Sequence, residues 1–387
     1  MRVLFITKQQ YMAKDLLADR FGRFYELPRV LAQSGHQVQG VCLRYWPSRN
    51  TDASALAGES VDWSSFSLGA NWPMGFLRHY ARLRKIAEWF RPDIIVGASD
   101  CFHVVMAFRL ALKLKIPYAV DLYDNFEAYR ATQFPGLRSW YRRAVSNATA
   151  VSVVSDTLLT KVQNEYRPVG ILQTITNAVV PESFHAGDRA AARRSLGLPE
   201  SKLLIGTAGA LTRARGIETL HQAYAQLTKI QLDVSLVLAG PSDRSMESLG
   251  REDIIYLGNL PHERVGDLFR ALDVGVVCNR DDEFGRYCFP QKFFEMLACK
   301  LPVVAANVGA MRGLLPGSEQ HLFNPTSVAS LVNALIAQLG NSQRPAISVP
   351  SWQDCGSKFG ELIEAAVTTS TRSIGALEAT QLTPERL

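Results

Sequence analysis

The sequence predicts an α/β protein made of two doubly wound domains, each built around a parallel sheet. Apolar, β-branched runs alternate with helix-like stretches along the 387 residues, which is the pattern of successive βαβ units. The alternation stops at residues 180–188, where proline, glycine and charged residues show no periodicity, and it then begins again. The length also favours two domains over one.

The predicted strands and helices follow this alternation in order. In the first half, strands are predicted at residues 3–7, 37–43, 93–97, 118–122, 150–154 and 171–176. In the second half, they are predicted at residues 203–207, 235–239, 254–257, 274–277 and 303–305. Residues 24–33, which precede Gly35, and residues 104–114 carry helical patterns. The resulting domains are residues 1–180 and 181–350, followed by a helix at 351–368 that crosses back to the first domain and a loose tail at 369–387.

Composition excludes several classes of protein. The hydrophobic fraction of 47% and charged fraction of 20% are those of a globular protein with an ample core. No apolar run approaches the roughly 18 residues of a membrane span. The first residues predict a strand, and their apolar run is too short for a signal peptide. The six cysteines are scattered without a C-x-x-C pair, which argues against a zinc cage or disulfide framework and for a reducing cytosol. The net charge of +6 indicates an anionic partner: a nucleotide, a membrane surface or a nucleic acid.

The most informative stretch is residues 283–306, which reads EFGRYCFPQKFFEMLACKLPVVAA and predicts a loop, a helix and a buried strand. Pro290 suits the first turn of a helix, where its missing N–H has no partner. Unpaired N–H groups at a helix start attract phosphate, and Lys292 lies in the same turn. Glu295 could accept two hydrogen bonds from a diol such as a ribose. An ordinary surface helix with solvated Lys292 and Glu295 explains the spacing about equally well.

Other polar clusters follow predicted strands. After the strand at 203–207, GTAGALTRARGIE combines glycines with Arg213 and Arg215, which favours an anion cradle over a solvated loop. After the strand at 118–122, Asp124 and Glu127 lie where a parallel sheet places its chemistry, although helix capping is a rival role for Asp124. His103 follows the preceding strand, and a lone histidine there is more often structural.

A basic, amphipathic segment at residues 77–91 interleaves arginines and a lysine with aromatic residues. It could rest on an anionic bilayer, and a second basic-aromatic patch at 138–143 supports that interpretation. The alternative is a helix that packs Trp89 and Phe90 against the core and solvates its arginines. We favour the alternative slightly, because most amphipathic helices face a core.

The run P-x-K-x-x-E-x-L-A-C-x-x-P-V-V, which begins at Pro290, resembles the donor-binding segment of the retaining glycosyltransferases of family 4. These are GT-B enzymes, in which two Rossmann-like domains face a cleft. The chain departs from the family pattern at three positions. Tyr287 stands where the first of two glutamates is usual, with Glu283 as its displaced counterpart. Tyr123 replaces a histidine, and Ala210 replaces the first basic residue of G-R-x-x-x-x-K-G, in which Arg215 takes the place of the lysine.

The resemblance implies roles for named residues. The catalytic candidates are Asp124, Arg213, Arg215 and Lys292. The donor-binding candidates are Gly209, Gly240, Gly258, Asn259, Glu283, Phe289, Pro290 and Glu295. The acceptor-binding candidates are His103, Tyr123 and Glu127. No metal site is expected, because arginine and lysine would neutralise the diphosphate.

The function that the resemblance implies is a retaining, metal-independent transfer of a sugar from a nucleotide-diphosphate sugar to a hydroxyl of a growing glycan. The acceptor would be a bacterial surface polysaccharide or a lipid-linked glycan, and no cofactor is required. The protein would be cytoplasmic, with the inner face of the plasma membrane as a further partner. The alternatives are a GT-B nucleotide-sugar epimerase and a non-catalytic protein that binds nucleotide sugars. Nucleic-acid binding ranks lowest, since the basic residues match no motif of the known nucleic-acid-binding domains.

Overall fold

The computed structural model describes residues 1–11, 14–46, 60–243, 254–316 and 319–381. The chain forms two compact units: unit 1 contains Met1–Asn177 and the segment that begins at Trp352, and unit 2 contains Ala178–Ser351. The sequence predicts the two domain boundaries between residues 180 and 181 and between residues 350 and 351.

Unit 1 is built on a parallel sheet. Its strands are β1 (Arg2–Lys8), β4 (Gln37–Arg44), β5 (Asp62–Ser67), β6 (Ile94–Ala98), β7 (Tyr118–Leu122), β8 (Ala150–Val153) and β9 (Ile171–Thr174), and a short antiparallel pair is formed by β2 (Gln10–Tyr11) and β3 (Lys14–Asp15). The seven-stranded sheet has the order β5-β4-β1-β6-β7-β8-β9. Six of these strands confirm the predicted ones. The edge strand β5 was not predicted, because its sequence DWSSFS is mostly polar; only Trp63 and Ser65 are buried.

Helices connect the strands of unit 1. They are α1 (Arg23–Gln33), α2 (Trp72–Phe90), α3 (Cys101–Leu114), α4 (Leu137–Ser146) and α5 (Asp156–Glu165), with 3₁₀ turns at Phe126–Ala128 and Arg130–Gln133. Local capping explains two of the helix starts. Asp100 accepts hydrogen bonds from the N–H groups of Phe102 and His103 at the start of α3, and Ser155 accepts one from Leu158 at the start of α5.

Unit 2 repeats the architecture. Its strands are β10 (Leu203–Ala208), β11 (Val234–Ala239), β12 (Ile254–Tyr256), β13 (Val274–Val277), β14 (Val303–Ala306) and β15 (Leu322–Phe323), in the order β12-β11-β10-β13-β14-β15. Its helices are α6 (Arg189–Leu196), α7 (Ile217–Lys229), α8 (His262–Ala271), α9 (Glu283–Tyr287), α10 (Gln291–Ala298), α11 (Ala310–Leu314) and α12 (Val328–Gly340), with 3₁₀ turns at Arg213–Arg215 and Glu319–His321. The short helix α9 lies where the sequence predicts a loop.

Both faces of the unit 2 sheet are buried, as parallel sheets require. Alternate residues of β11 show this directly. Leu236 and Leu238 belong to one apolar cluster, and Val237 and Ala239 belong to the other. The second cluster also contains Phe293 of α10, so the core holds that helix against the sheet.

The last helix, α13 (Trp352–Gln381), packs in unit 1. A Cβ at Gly356 would lie 2.3 Å from the Cβ of Val30, so the glycine allows α13 to approach α1 closely. The ring of Phe359 meets the ring of Phe5 edge-on, with centroids 6.5 Å apart. The first part of the predicted loose tail at 369–387 is helical instead, since the helix continues to Gln381. Each residue added to an existing helix gains a backbone hydrogen bond without a new nucleation cost. Residues 382–387 lie outside the described part of the chain.

Candidate functional site

The carboxyl ends of β10, β11 and β12 are joined by glycine backbones. The Gly209 N–H donates to the Ala239 carbonyl at 2.8 Å, and the Gly240 N–H donates to the Gly258 carbonyl at 2.8 Å. Gly240 has a φ of 125°, and a Cβ there would lie 2.2 Å from the Gly209 oxygen. No other residue fits at Gly240, because both its backbone angle and this contact exclude a side chain. Asn259, the next residue in the chain after Gly258, is exposed.

Lys292 reaches this glycine edge from the first turn of α10. A Cβ at Gly209 would lie 2.9 Å from the Lys292 Nζ atom, so the ammonium lies directly against that backbone. Burial lowers the pKa of Lys292; the Cys278 thiol and the Glu295 carboxyl oppose the shift, and the positive charge of Arg215 adds to it. Among the residues that the structure describes, no hydrogen bond or ion pair engages Nζ. The ammonium is therefore desolvated and available to an anion.

Arg215 supplies a second cation close to Lys292. Its guanidinium lies 3.6 Å from the centroid of the Phe284 ring, which orients it by a cation–π contact. Arg213 differs, because its side chain is 66% exposed and its Nε lies 2.6 Å from the Glu218 carboxylate. The structure therefore brings Arg215 and Lys292 together and leaves Arg213 on the surface in an ion pair.

Glu295 is the buried carboxyl of α10, with only 7% of its surface exposed. Burial raises its pKa from 4.5 to about 7, and the Gln291 amide and the Lys292 ammonium only partly offset that effect. Gln291 itself is held by a 2.8 Å hydrogen bond from its Nε2 to the Ala178 carbonyl. A glutamate in this state is proton-sensitive near neutral pH, which a solvated surface glutamate is not.

The other predicted donor residues lie around the start of α10. Pro290 is the N-cap of the helix, one position before its first turn. The ring of Phe289 stacks on that of Phe294, with centroids 4.9 Å apart and planes 10° apart, so it completes the packing of the helix. Glu283 is the exposed first residue of α9.

This arrangement is suited to hold an anion. Two cations, a glycine backbone and the start of α10, which has no side-chain cap, converge at one end of the unit 2 sheet. Unpaired N–H groups and positive charges of this kind bind phosphate oxygens. In the described ranges of the chain, no group of three or more His, Cys, Asp or Glu side chains could hold a metal ion.

In unit 1, Asp124 and Tyr123 lie together at the carboxyl end of β7. Asp124 accepts hydrogen bonds from the Tyr129 hydroxyl at 2.5 Å and from the Asn125 N–H at 2.7 Å. The Tyr123 hydroxyl accepts a hydrogen bond from Lys8 Nζ at 3.1 Å. The Tyr123 ring meets the Tyr11 ring edge-on, and burial raises its pKa far above the usual value.

His103 and Glu127 have structural partners. His103 is fully buried, and its Nδ1 lies 2.8 Å from the Asp100 carboxylate. Burial alone would raise the pKa of Asp100, but His103, Lys8 and Tyr45 lower it to about 2. Burial would likewise raise the pKa of Glu127, but hydrogen bonds from Arg142 and Arg138 lower it. Glu127 thereby ties its own segment to α4.

One buried ion pair has no counterpart in the sequence analysis. The Arg23 guanidinium donates from Nε and Nη2 to the Asp121 carboxylate at 2.8 and 2.7 Å, and both side chains are fully buried. Arg23 also donates to the carbonyls of Ile175 and Thr176 at 2.7 and 2.9 Å. Asp121 is therefore a structural residue, although it precedes Asp124 in the same acidic run. The partners are 98 residues apart in sequence, so no local pattern could reveal the pair.

The basic segment at 77–91 falls mostly within α2. Phe90 is buried, as the core-facing interpretation predicts, but Trp89 is 74% exposed. Arg78, Arg82 and Lys85 are exposed as well, and the spacing places them on the same helix face as Trp89. In the described part of the chain, no helix combines the length and apolarity needed to span a bilayer.

Comparisons with known proteins match both units. Residues 23–177 match a family model described as a glycosyl transferase 4-like domain, and residues 202–341 match one described as glycosyl transferases group 1. The chain belongs to the group 1 glycosyltransferases. This membership confirms the resemblance drawn from the sequence.

Named relatives agree with this family. A D-inositol 3-phosphate glycosyltransferase of Stackebrandtia nassauensis is 32% identical over 181 residues, covering 41% of this chain and 40% of that protein. A putative teichuronic acid biosynthesis glycosyltransferase of Bacillus subtilis is 28% identical over 229 residues, covering 57% of this chain and 54% of that protein. The chain thus spans about half or less of the length of these curated relatives.

Solved structures show the same fold. Sucrose-phosphate synthase from Thermosynechococcus elongatus has a TM-score of 0.70 at 18% identity, covering 98% of this chain and 99% of that one. Anabaena HepE in complex with UDP has a TM-score of 0.66 at 17% identity, covering 98% of this chain and 100% of that one. With these neighbours, the two parallel-sheet units confirm the predicted GT-B fold.

Proposed function

We propose that this group 1 glycosyltransferase moves a sugar from a nucleotide-diphosphate sugar to a hydroxyl of a growing glycan, with retention and without a metal. The observation that carries the proposal is the desolvated Lys292 ammonium, which lies against Gly209 beside Arg215 and has no partner among the described residues. The two cations and the start of α10 form a site for a diphosphate within the unit that matches the group 1 model.

The chemistry that we propose follows from charge. As the bond between the sugar and the diphosphate breaks, negative charge grows on the departing phosphate oxygen. Fixed cations at Lys292 and Arg215 stabilise that charge more in the transition state than in the bound substrate. The departing oxygen takes the proton of the acceptor hydroxyl while that hydroxyl attacks the same face of the sugar. Retention then needs no separate base, and Glu295 holds the ribose hydroxyls.

Known relatives support the substrate classes. Anabaena HepE has been solved in complex with UDP-glucose, which favours a uridine-diphosphate sugar as the donor. The names of the relatives include a D-inositol 3-phosphate glycosyltransferase, a putative teichuronic acid biosynthesis glycosyltransferase and a phosphatidylinositol N-acetylglucosaminyltransferase subunit. We therefore propose a polyol or glycan hydroxyl as the acceptor, with Asp124 and Tyr123 of unit 1 as its contacts.

The test is turnover with a panel of nucleotide sugars, measured as released nucleoside diphosphate with and without candidate acceptors. The wild type should release nucleoside diphosphate from at least one donor. Lys292→Met should abolish that release, because it removes the charge that faces the diphosphate. Lys229→Met, at the exposed end of α7 in the same unit, is the matched control and should behave as wild type. Absence of release with every donor and acceptor, or equal loss in both variants, would contradict the proposal.

We also propose that the protein works in the cytoplasm at the inner membrane surface. Arg78, Arg82 and Lys85 share one exposed face of α2 with Trp89, which combines cations with an interfacial aromatic side chain. Each cation near an anionic surface contributes about 1 kcal/mol, and salt screens that contribution.

Sedimentation with vesicles tests the membrane proposal. The wild type should sediment with vesicles that contain phosphatidylserine and should not sediment with neutral vesicles. Its binding to the anionic vesicles should fall steeply as the salt concentration rises. Changing Arg78, Arg82 and Lys85 together to glutamine should release the protein while UDP binding, which we assign to unit 2, stays unchanged. A triple variant that sediments as wild type does would refute the proposal.

A further inference from the structure

Lys8 is an unassigned cation at the carboxyl edge of the unit 1 sheet. It is the last residue of β1, and its Nζ donates to the Tyr123 hydroxyl at 3.1 Å. The same atom lies 5.3 Å from the centroid of the Tyr123 ring and 6.0 Å from that of the Tyr11 ring. An ammonium has three N–H donors, and among the described residues the Tyr123 oxygen is the one acceptor for them. Two donors are therefore available.

The nearby carboxylates do not form an ion pair with Lys8. Asp100 accepts hydrogen bonds from the Tyr45 hydroxyl at 2.7 Å and from His103 Nδ1 at 2.8 Å. Asp124 accepts from the Tyr129 hydroxyl at 2.5 Å. Both carboxylates favour the charged form of Lys8, but burial has the larger effect and lowers its pKa. A desolvated ammonium with open donors is stabilised by any anion that reaches it.

The hydroxyl beside Lys8 orients the ammonium. The Tyr123 hydroxyl accepts from Lys8 and also lies 3.4 Å from the Tyr129 hydroxyl, so Tyr129 holds it in place. The ring is fixed by edge-on contacts with the rings of Tyr11 and Phe24, at centroid distances of 5.1 and 5.2 Å. An ammonium held in this way can direct its two open donors at two oxygens of one phosphate or carboxylate group.

We propose that Lys8, oriented by Tyr123, binds an anionic group, a phosphate or a carboxylate, on the acceptor. The inference rests on the proposed glycosyl transfer and narrows its acceptor to molecules that carry such a group. It assigns the group to the acceptor because Lys8 lies in unit 1 with Asp124, and the cations that we assign to the donor, Lys292 and Arg215, lie in unit 2.

The test uses binding alone, so it does not depend on turnover. With saturating UDP present to fill the donor site, glucose 6-phosphate and glucose are titrated as a charged probe and its neutral counterpart. The wild type should bind the phosphate probe at least ten-fold more tightly than glucose. Lys8→Met should remove that preference, and Lys8→Arg should keep part of it, since the charge remains. Lys113→Met, at the exposed end of α3 in the same unit, should bind as wild type does.

The affinity for UDP itself separates the two sources of phosphate. The affinity for UDP should be unchanged in Lys8→Met. If this variant loses as much affinity for UDP as for glucose 6-phosphate, Lys8 serves the donor and the inference is overturned. A wild type that shows no preference for the phosphate probe also overturns it, while release of UDP from a UDP-sugar would leave the proposed function standing. If Lys8→Met does not fold, Tyr123→Phe removes the hydroxyl that orients the Lys8 ammonium and keeps the ring. That variant should lose affinity for the phosphate probe several-fold, and wild-type affinity would contradict the inference.

Discussion

Replacing Glu295 by glutamine should change stability and donor binding in opposite directions. The folded state holds the Glu295 proton with a pKa of about 7, against 4.5 for an unburied glutamate. Between these pH values the folded state binds more protons than the unfolded state, so the free energy of unfolding falls as pH rises. The slope is about 1.4 kcal/mol per pH unit, and the loss is about 3 kcal/mol once the pH exceeds 7.

Glutamine has nearly the same shape and no charge, so it avoids this loss. Glu295→Gln should match the wild type in stability near pH 4.5 and exceed it by up to about 3 kcal/mol at pH 8. The same variant should bind UDP more weakly by about 1–3 kcal/mol, because it lacks the charged acceptor that we assign to the ribose hydroxyls. The affinity of the wild type for UDP should itself fall as pH drops below 7, since protonation removes that acceptor.

Two measurements check this prediction. All six tryptophans lie outside Ala178–Ser351, so tryptophan fluorescence does not report on the unfolding of unit 2. Its stability is best followed by hydrogen exchange in its core strands. Calorimetry gives the affinity for UDP at pH 6 and pH 8. Glu263→Gln, on the exposed first turn of α8, is the matched control and should alter neither quantity. A stability difference that does not change with pH would refute the burial argument, and unchanged UDP affinity would refute the ribose assignment.

Three further predictions follow from charges in the two units. Lys292→Met should weaken UDP binding by about 1.5–3 kcal/mol, measured by calorimetry; a loss no larger than that of Lys229→Met would refute the diphosphate site. Asp121→Asn should lower the free energy of unfolding of unit 1 by about 3–5 kcal/mol, because Arg23 is left buried without its charge partner. Asp19 pairs with Lys14 at the surface, so Asp19→Asn should cost less than about 1 kcal/mol. Tryptophan fluorescence during unfolding in urea measures both. EDTA should leave turnover intact, and activity that is lost with EDTA and restored by magnesium would refute the metal-free proposal.

The sequence predicted the fold well where burial imposes a local pattern. Strands such as β6 and β11 are buried on both faces, so their apolar runs stand out. The edge strand β5 buries only two side chains and has no such run. The two-residue strand β15 is too short for any periodicity to appear. The strands of the two parallel sheets that sequence reasoning missed therefore lie at the sheet edges.

The candidate site was predictable only in part, for a related reason. Lys292 and Glu295 lie in one helix turn after Pro290, so their spacing could be read directly. Their burial could not, because it depends on how α10 packs against the sheet. Long-range partners were also inaccessible: the contact of Lys8 with Tyr123 joins residues 115 positions apart, and no local motif encodes it.

A crystal structure of the protein with bound UDP tests the central claim most directly. The account predicts that the diphosphate oxygens contact the Lys292 ammonium and the Arg215 guanidinium, beside the Gly209 backbone. It also predicts that the ribose hydroxyls donate to the Glu295 carboxylate. A nucleotide bound away from Lys292, or held there through a metal ion that replaces these cations, would contradict the account.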